Sequence, residues 1–140
     1  MIDSRIVLDE VLAVVTEEAT VPVGLHVAPA GASVVVVEHP PGSDRTGSLG
    51  CPDADLVLRV RLRAKVTNSK VAQACREASH VVNGVEAHLL ARSTVIAGDG
   101  WEVVTRTHVA DGGVDWEGNV ANHTVDVDLF VIEGPDDDES

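Results

Sequence analysis

From Asp55 to Val66 the chain reads DLVLRVRLRAKV, and its side chains divide by parity. Leu56, Leu58, Val60, Leu62, Ala64 and Val66 fall on one side. Val57, Arg59, Arg61, Arg63 and Lys65 fall on the other. Successive side chains alternate across a strand, so this stretch predicts one long strand with a greasy face and a basic face. At ~3.3 Å per residue it would run roughly 35–40 Å, which is long for a single strand.

The other elements can be set around it. Between Ser4 and Ala19, Leu8, Val11, Leu12, Val15 and Ala19 recur at helical spacing, with Asp3 or Ser4 placed to cap the first turn. Val23–Ala28 reads as a short strand that Pro29 and Gly31 end. Ser33–Glu38, SVVVVE, is an extended run whose unbroken valines imply burial on both faces. His39–Ala54 holds three prolines and three glycines and predicts a long loop. It joins the valine run to the basic strand, so those two are expected to pair antiparallel. Asn68–Arg92 carries a helical stripe of Val71, Ala74, Cys75, Ala78, Val82, Val85 and Leu89. Asn68 or Ser69 is its natural N-cap, and Gly84 inside it implies a close packing contact. Gly98-Asp99-Gly100 is a turn.

Trp101–Val109 reads as a strand with Trp101, Val103, Thr105, Thr107 and Val109 on one face. Asp111–Asn119, DGGVDWEGN, reads as a turn-rich connection. The last strand is Val120–Ile132. Val125, Val127, Leu129 and Val131 face one way and Asp126 and Asp128 the other, before Phe130 and Ile132 turn that outer face apolar. From Gly134 the chain is an acidic tail expected to be disordered. One sheet with both helices on the same face buries both apolar stripes. The expected architecture is therefore a two-layer α+β domain over residues 1–133, with one mixed or antiparallel sheet and two helices packed on one face.

Composition narrows the classes of function. The chain has 140 residues and a net charge of −13; five of its 23 acids lie in the last eight positions. Such a charge opposes nucleic-acid binding, and the lack of Tyr, with one Phe and two Trp, argues against a stacking platform for single strands. The exception is the local basic face. Cys51 and Cys75 fit no metal spacing and are too few for a disulfide scaffold, so two free thiols are expected. Neither a signal peptide nor a membrane span is legible.

No catalytic or cofactor signature is present. Phosphate-binding glycine loops are absent, and Ser48 in GSLG is not a nucleophile elbow. Cys51 would need a histidine that the sequence does not place. The histidines His26, His39, His80, His88, His108 and His123 lack helical metal spacing, although His108 and His123 become neighbours if the last two strands form a hairpin. Asp111, Asp115, Glu117 and Asn119 resemble a loose calcium loop, but Gly118 stands at the wrong position for one. No enzyme, no metal and no cofactor is the expectation. The basic face has three readings: a solvated strand face, cross-strand pairing with Asp126 and Asp128, or a subunit interface. In the interface reading Arg59, Arg61, Arg63 and Lys65 meet the acidic surface of a second copy, and Asp126, Asp128, Phe130 and Ile132 complete the contact.

Taken over residues 1–133, the chain resembles the tail-terminator proteins (tail-completion or minor tail proteins) of long-tailed bacteriophages. The resemblance rests on the opening MIDSRIVLDEVLAVV helix, the long loop after SVVVVEHPPG, the strand DLVLRVRLRAKVTNSKVAQACREASHVV running into a helix, and the closing HTVDVDLFVI. It implies a virion structural protein of the tail or neck, assembled in the host cytoplasm. It also implies a homo-oligomeric ring, usually of six, that ends tail-tube polymerisation and joins the tube to the head connector. Partners would be further copies of itself, the tail tube protein and the connector, with no membrane and no sequence-specific nucleic acid. The loop residues His39, Pro40, Pro41, Asp44, Arg45 and Leu49 are then candidates for docking. A neck or head-closure protein, or a small acidic inhibitor or ligand-binding domain, are the alternatives.

Overall fold

The structure, a computed structural model, describes residues 2–40, 45–46 and 54–134, with only the backbone of 45–46. Two helices, α1 (Ser4–Glu18) and α2 (Val71–Leu90), lie on one side of a mixed sheet. Its strands are β1 (Val23–Leu25), β2 (Ser33–Glu38), β3 (Arg45–Thr46), β4 (Leu56–Thr67), β5 (Ala97–Gly98), β6 (Trp101–Glu117) and β7 (Val120–Glu133). The order across the sheet is β1-β2-β4-β7-β6-β5, with β3 also on β4. Only β1 and β2 run parallel; every other pair is antiparallel. The α+β architecture expected from the hydrophobic pattern is the one observed.

The long strand β4 sits at the centre, between β2 and β7, because its parity set is buried against the helices. Leu56, Leu58, Val60, Leu62, Ala64 and Val66 join Val125, Val127, Leu129 and Val131 of β7 in one core. From α1 come Val7, Leu8, Val11, Val14 and Val15, and from α2 Ala74, Ala78, Val82, Val85 and Leu89. Val34 and Val36 are buried on the other face of the sheet, where Lys65 and Arg63 stand opposite them in register and their aliphatic stems can cover apolar surface. Helix α1 touches both β5 and β1, the two lateral strands. Its 15 residues span about 22 Å, close to the ~24 Å covered by five inter-strand steps, so it crosses the strands rather than following one.

Several local expectations change. Strand β1 stops at Leu25 because His26 takes a left-handed conformation with φ 64°. Helix α2 is capped at Lys70, not by Asn68 or Ser69; the Asn68 carboxamide instead accepts from the Lys70 N–H at 2.9 Å. Gly84 makes no close packing contact, since a Cβ built there meets nothing within 4 Å. Strand β6 does not end at Val109. DGGVDWE continues it to Glu117, and Gly118-Asn119 alone form the turn. The positive φ of 63° at Gly118, the first turn residue, is the feature of a II′ hairpin turn. Register shifts at Val104, Val109 and Gly112 are bulges that let β6 track β7 through this glycine-bearing stretch. A Cβ on Gly112 would fall 2.5 Å from the Thr124 hydroxyl, so the close approach there requires glycine. The first bulge also breaks the predicted alternation. Thr105 pairs with Phe130 on the open face, and Arg106 and His108 take the helix side, opposite Leu129 and Val127.

Candidate functional site

The face of the sheet away from the helices carries the basic strip. The β4–β7 register sets Arg59 opposite Asp128 and Arg61 opposite Asp126, so each arginine meets a carboxylate of the same chain. Arg59 donates from Nε at 2.7 Å and from Nη2 at 3.1 Å to the two Asp128 oxygens. Arg61 holds Asp126 in the same forked way at 2.9 and 3.3 Å. Arg63 reaches sideways to Glu38 of β2 at 2.9 Å and to the Asn122 carboxamide at 3.4 Å. The Asp128 side chain is only 8 % exposed and that of Arg59 26 %, against 16 % and 41 % for the Asp126–Arg61 pair. The hydrogen bonds that the guanidinium groups donate to Asp128 and Asp126 hold the pKa values of Arg59 and Arg61 above the ordinary arginine value, against desolvation. Of the three readings of the strip, cross-strand pairing is the one realised for Arg59 and Arg61. Phe130 and Ile132 are half-buried at the far end of the same face.

The docking-loop residues divide. His39 and Pro40 are described, and the His39 ring Nδ1 is hydrogen-bonded to the Arg59 carbonyl at 3.0 Å. Arg45 is described only as backbone paired with Val57. Pro41, Asp44 and Leu49 lie outside the described residues, as do Cys51 and the acidic tail beyond Gly134.

Polar side chains tether β6 and β7 to α2. Arg106 of β6 donates to the Leu89 and Ala91 carbonyls at 3.1 and 2.6 Å. A cation there satisfies the free C-terminal carbonyls of α2 and lies favourably in its dipole. His108 bonds Glu86, whose carboxylate raises the imidazole above its ordinary value. His123 is buried, with Nδ1 2.7 Å from the Ser79 hydroxyl and Nε2 2.6 Å from Asp111. The Gly113 N–H first, and His123 second, hold the Asp111 carboxyl below its ordinary value. His108 and His123 are not neighbours in the hairpin: they stand opposite Val127 and Val114.

A serine, a histidine and an aspartate in hydrogen-bonded sequence invite a hydrolytic reading, which the geometry opposes. In such a relay the hydroxyl faces substrate and the carboxylate is buried. Here Asp111 is the exposed end, while Ser79 is set on the inner side of α2 beside the buried Ala78 and Val82. The chain of bonds acts as a latch between helix and hairpin. The parity of His123, which matches buried Val125 and Val127, is the sequence signal that it needed partners.

An open cleft of about 750 Å³ lies where the start of α1 meets the β5–β6 turn, with Ile2, Ile6 and Trp101 beside Asp9, Glu10 and Asp99. Among the described residues no three His, Cys, Asp or Glu side chains are grouped to hold a metal ion, and no helix is long and apolar enough to cross a membrane. The Val103 N–H still bonds the Ile96 carbonyl at 2.9 Å, and beyond it strand β6 pairs only with β7, so from Val104 to Glu117 it is a free sheet edge among the described residues. In comparison with known proteins, the chain matches no family model and no curated sequence.

Proposed function

We propose that this chain is a subunit of a homo-oligomeric ring that ends the tail tube of a long-tailed bacteriophage and joins it to the head connector. The reading has two supports: the resemblance over residues 1–133, and a fold built for lateral contact. The observation that carries it is the edge of β6 that is free among the described residues, running from Val104 to Glu117. A long unpaired edge is a template for further strand pairing; the bulges at Val104, Val109 and Gly112 divide this one into shorter runs, of which Gly113–Glu117 is the longest regular one. The arginine strip is already held by Asp126, Asp128 and Glu38 of its own chain, so lateral contact through swapped charges gives way to contact through the edges. The sheet face that carries Phe130 and Ile132 is the proposed surface for the tube or the connector.

The experiment is to add the purified protein to the tube subunit from the same genome while it polymerises, and to image the products by negative stain. Capped tubes of reduced length are expected. Tubes of unchanged length, with bare ends, would overturn the proposal.

A further inference from the structure

Six large apolar side chains stand exposed among the described residues: Ile6, Val27, Val95, Val104, Val109 and Trp116. Their placement is lopsided. Val104, Val109 and Trp116 are all on β6, and Val95 lies just ahead of β5 at the same edge of the sheet. Trp116 is 59 % exposed beside the Gly118 turn. The opposite edge is apolar in a different way. From Ala19 to Ala32 the chain has no Asp, Glu, Lys or Arg, although the protein as a whole carries −13, and not one of these residues is buried. Val27, beside β1, is 74 % exposed. Val104, Val109 and Trp116 are spaced along the strand, so each would give a separate apolar contact to a partner laid along this edge.

The backbone of β1 is also available. Val35 donates to the Pro22 carbonyl and His26 to the Val37 carbonyl, so residues 22 and 26 face β2. By the alternation of a strand, Val23 and Leu25 turn their N–H and C=O groups outward. Among the described residues the sheet therefore ends in two unlike edges, one acidic with spaced apolar side chains and one uncharged, both with outward-facing backbone.

We infer that the β6 edge of one copy seats against the β1 edge of the next, head to tail, which deepens the ring reading on which it rests. Charge selects this pairing over two β6 edges meeting each other. The β6 edge carries acids at both ends, Glu102 at one and Asp115 with Glu117 at the other, so two such edges meeting antiparallel about a two-fold axis would set acidic end against acidic end, whereas Ala19–Ala32 offers them no like charge. Unlike edges make a heterologous contact, and a heterologous contact closes into a ring when its rotation divides the circle.

Two variants of the full chain test this: Val109→Asp on the β6 edge and Val27→Asp on the β1 edge. Val104→Asp replaces the first if Val109→Asp does not fold by circular dichroism. Each variant alone is expected to lose at least tenfold in association and to run as a monomer in light scattering. Each keeps one sound edge, so an equimolar mixture is expected to give a 1:1 dimer and nothing larger. Wild-type assembly in both variants, or a mixture that stays monomeric, would overturn the edge pairing while leaving a ring built by other surfaces. Wild-type protein that is monomeric at every concentration would overturn both. Assembly through these edges that does not cap tubes would overturn the functional proposal alone.

Discussion

The two forked ion pairs on the open face differ in one respect that can be measured. Both are bidentate, and both link β4 to β7, but Asp128 with Arg59 is the more deeply covered pair. Exposed pairs contribute about 0.2–1 kcal/mol, hydrogen bonds to charged groups in drier surroundings about 1.5–3 kcal/mol, and breaking a fully buried pair costs 3–5 kcal/mol. Arg59 keeps a quarter of its side chain in water, so its pair belongs in the middle range. The coupling energy from a double-mutant cycle of Arg59→Met and Asp128→Asn is therefore expected near ~2 kcal/mol. The same cycle at Arg61 and Asp126 is expected at roughly 0.5–1 kcal/mol, because Arg61 is 41 % exposed. Urea unfolding of the four proteins in each cycle gives both values. Raising the salt from 0.05 to about 0.5 M should erode the outer coupling more than the inner one, because screening acts mainly on exposed charge. Equal couplings, or a larger value at Arg61–Asp126, would refute the assignment of strength by burial. No measurable coupling at Arg59–Asp128 would refute the ladder itself.

Three further outcomes follow from the same geometry. Reversing Arg59, Arg61 and Arg63 to Glu sets three new carboxylates beside Asp128, Asp126 and Glu38; a loss of about 5 kcal/mol or more is expected, comparable to the whole stability of a small domain, and a wild-type urea midpoint would contradict it. His108 binds its proton more tightly when folded, because of Glu86, so its contribution is complete below the unfolded value of 6.5 and is lost as the pH rises through the raised folded value. The urea midpoint should fall over that window, and His108→Asn should remove that part of the fall; identical pH profiles would exclude the contact. Gly84→Ala should stabilise the protein by roughly 0.5–1 kcal/mol, since the site is helical and open; a lower melting temperature would show a contact that the geometry lacks.

Where alternation was strong, sequence and structure agree. The Leu56–Thr67 and Val120–Glu133 strands bury the parity set that hydrophobicity marks, the unbroken valine run is buried on both faces, and the antiparallel pairing of β2 with β4 follows from the loop between them. The partnership of the arginines with Asp126 and Asp128 was open to sequence as one reading among three, because faces were legible but register was not. Register is a long-range property, fixed here by pairs some 65–69 residues apart. Gly and Asp are poor strand formers, so DGGVDWE reads as a connection in the sequence. Pairing with β7, and the bulges at Val109 and Gly112, override that preference. A glycine inside a helix points to a close contact, yet the surroundings of Gly84 are open. The latch of Ser79, His123 and Asp111 joins residues 44 and 12 positions apart, and local periodicity has no means of placing them together.

The central claim is that unlike sheet edges join copies of this chain into a closed ring, and native mass spectrometry of the wild-type protein tests it most directly. The account predicts one dominant species of more than two subunits, six if the resemblance holds in full, with its mass unchanged on tenfold dilution because a closed ring has no free ends. A monomer at all concentrations, a dimer that grows no further, or a ladder of masses that lengthens with concentration would contradict it.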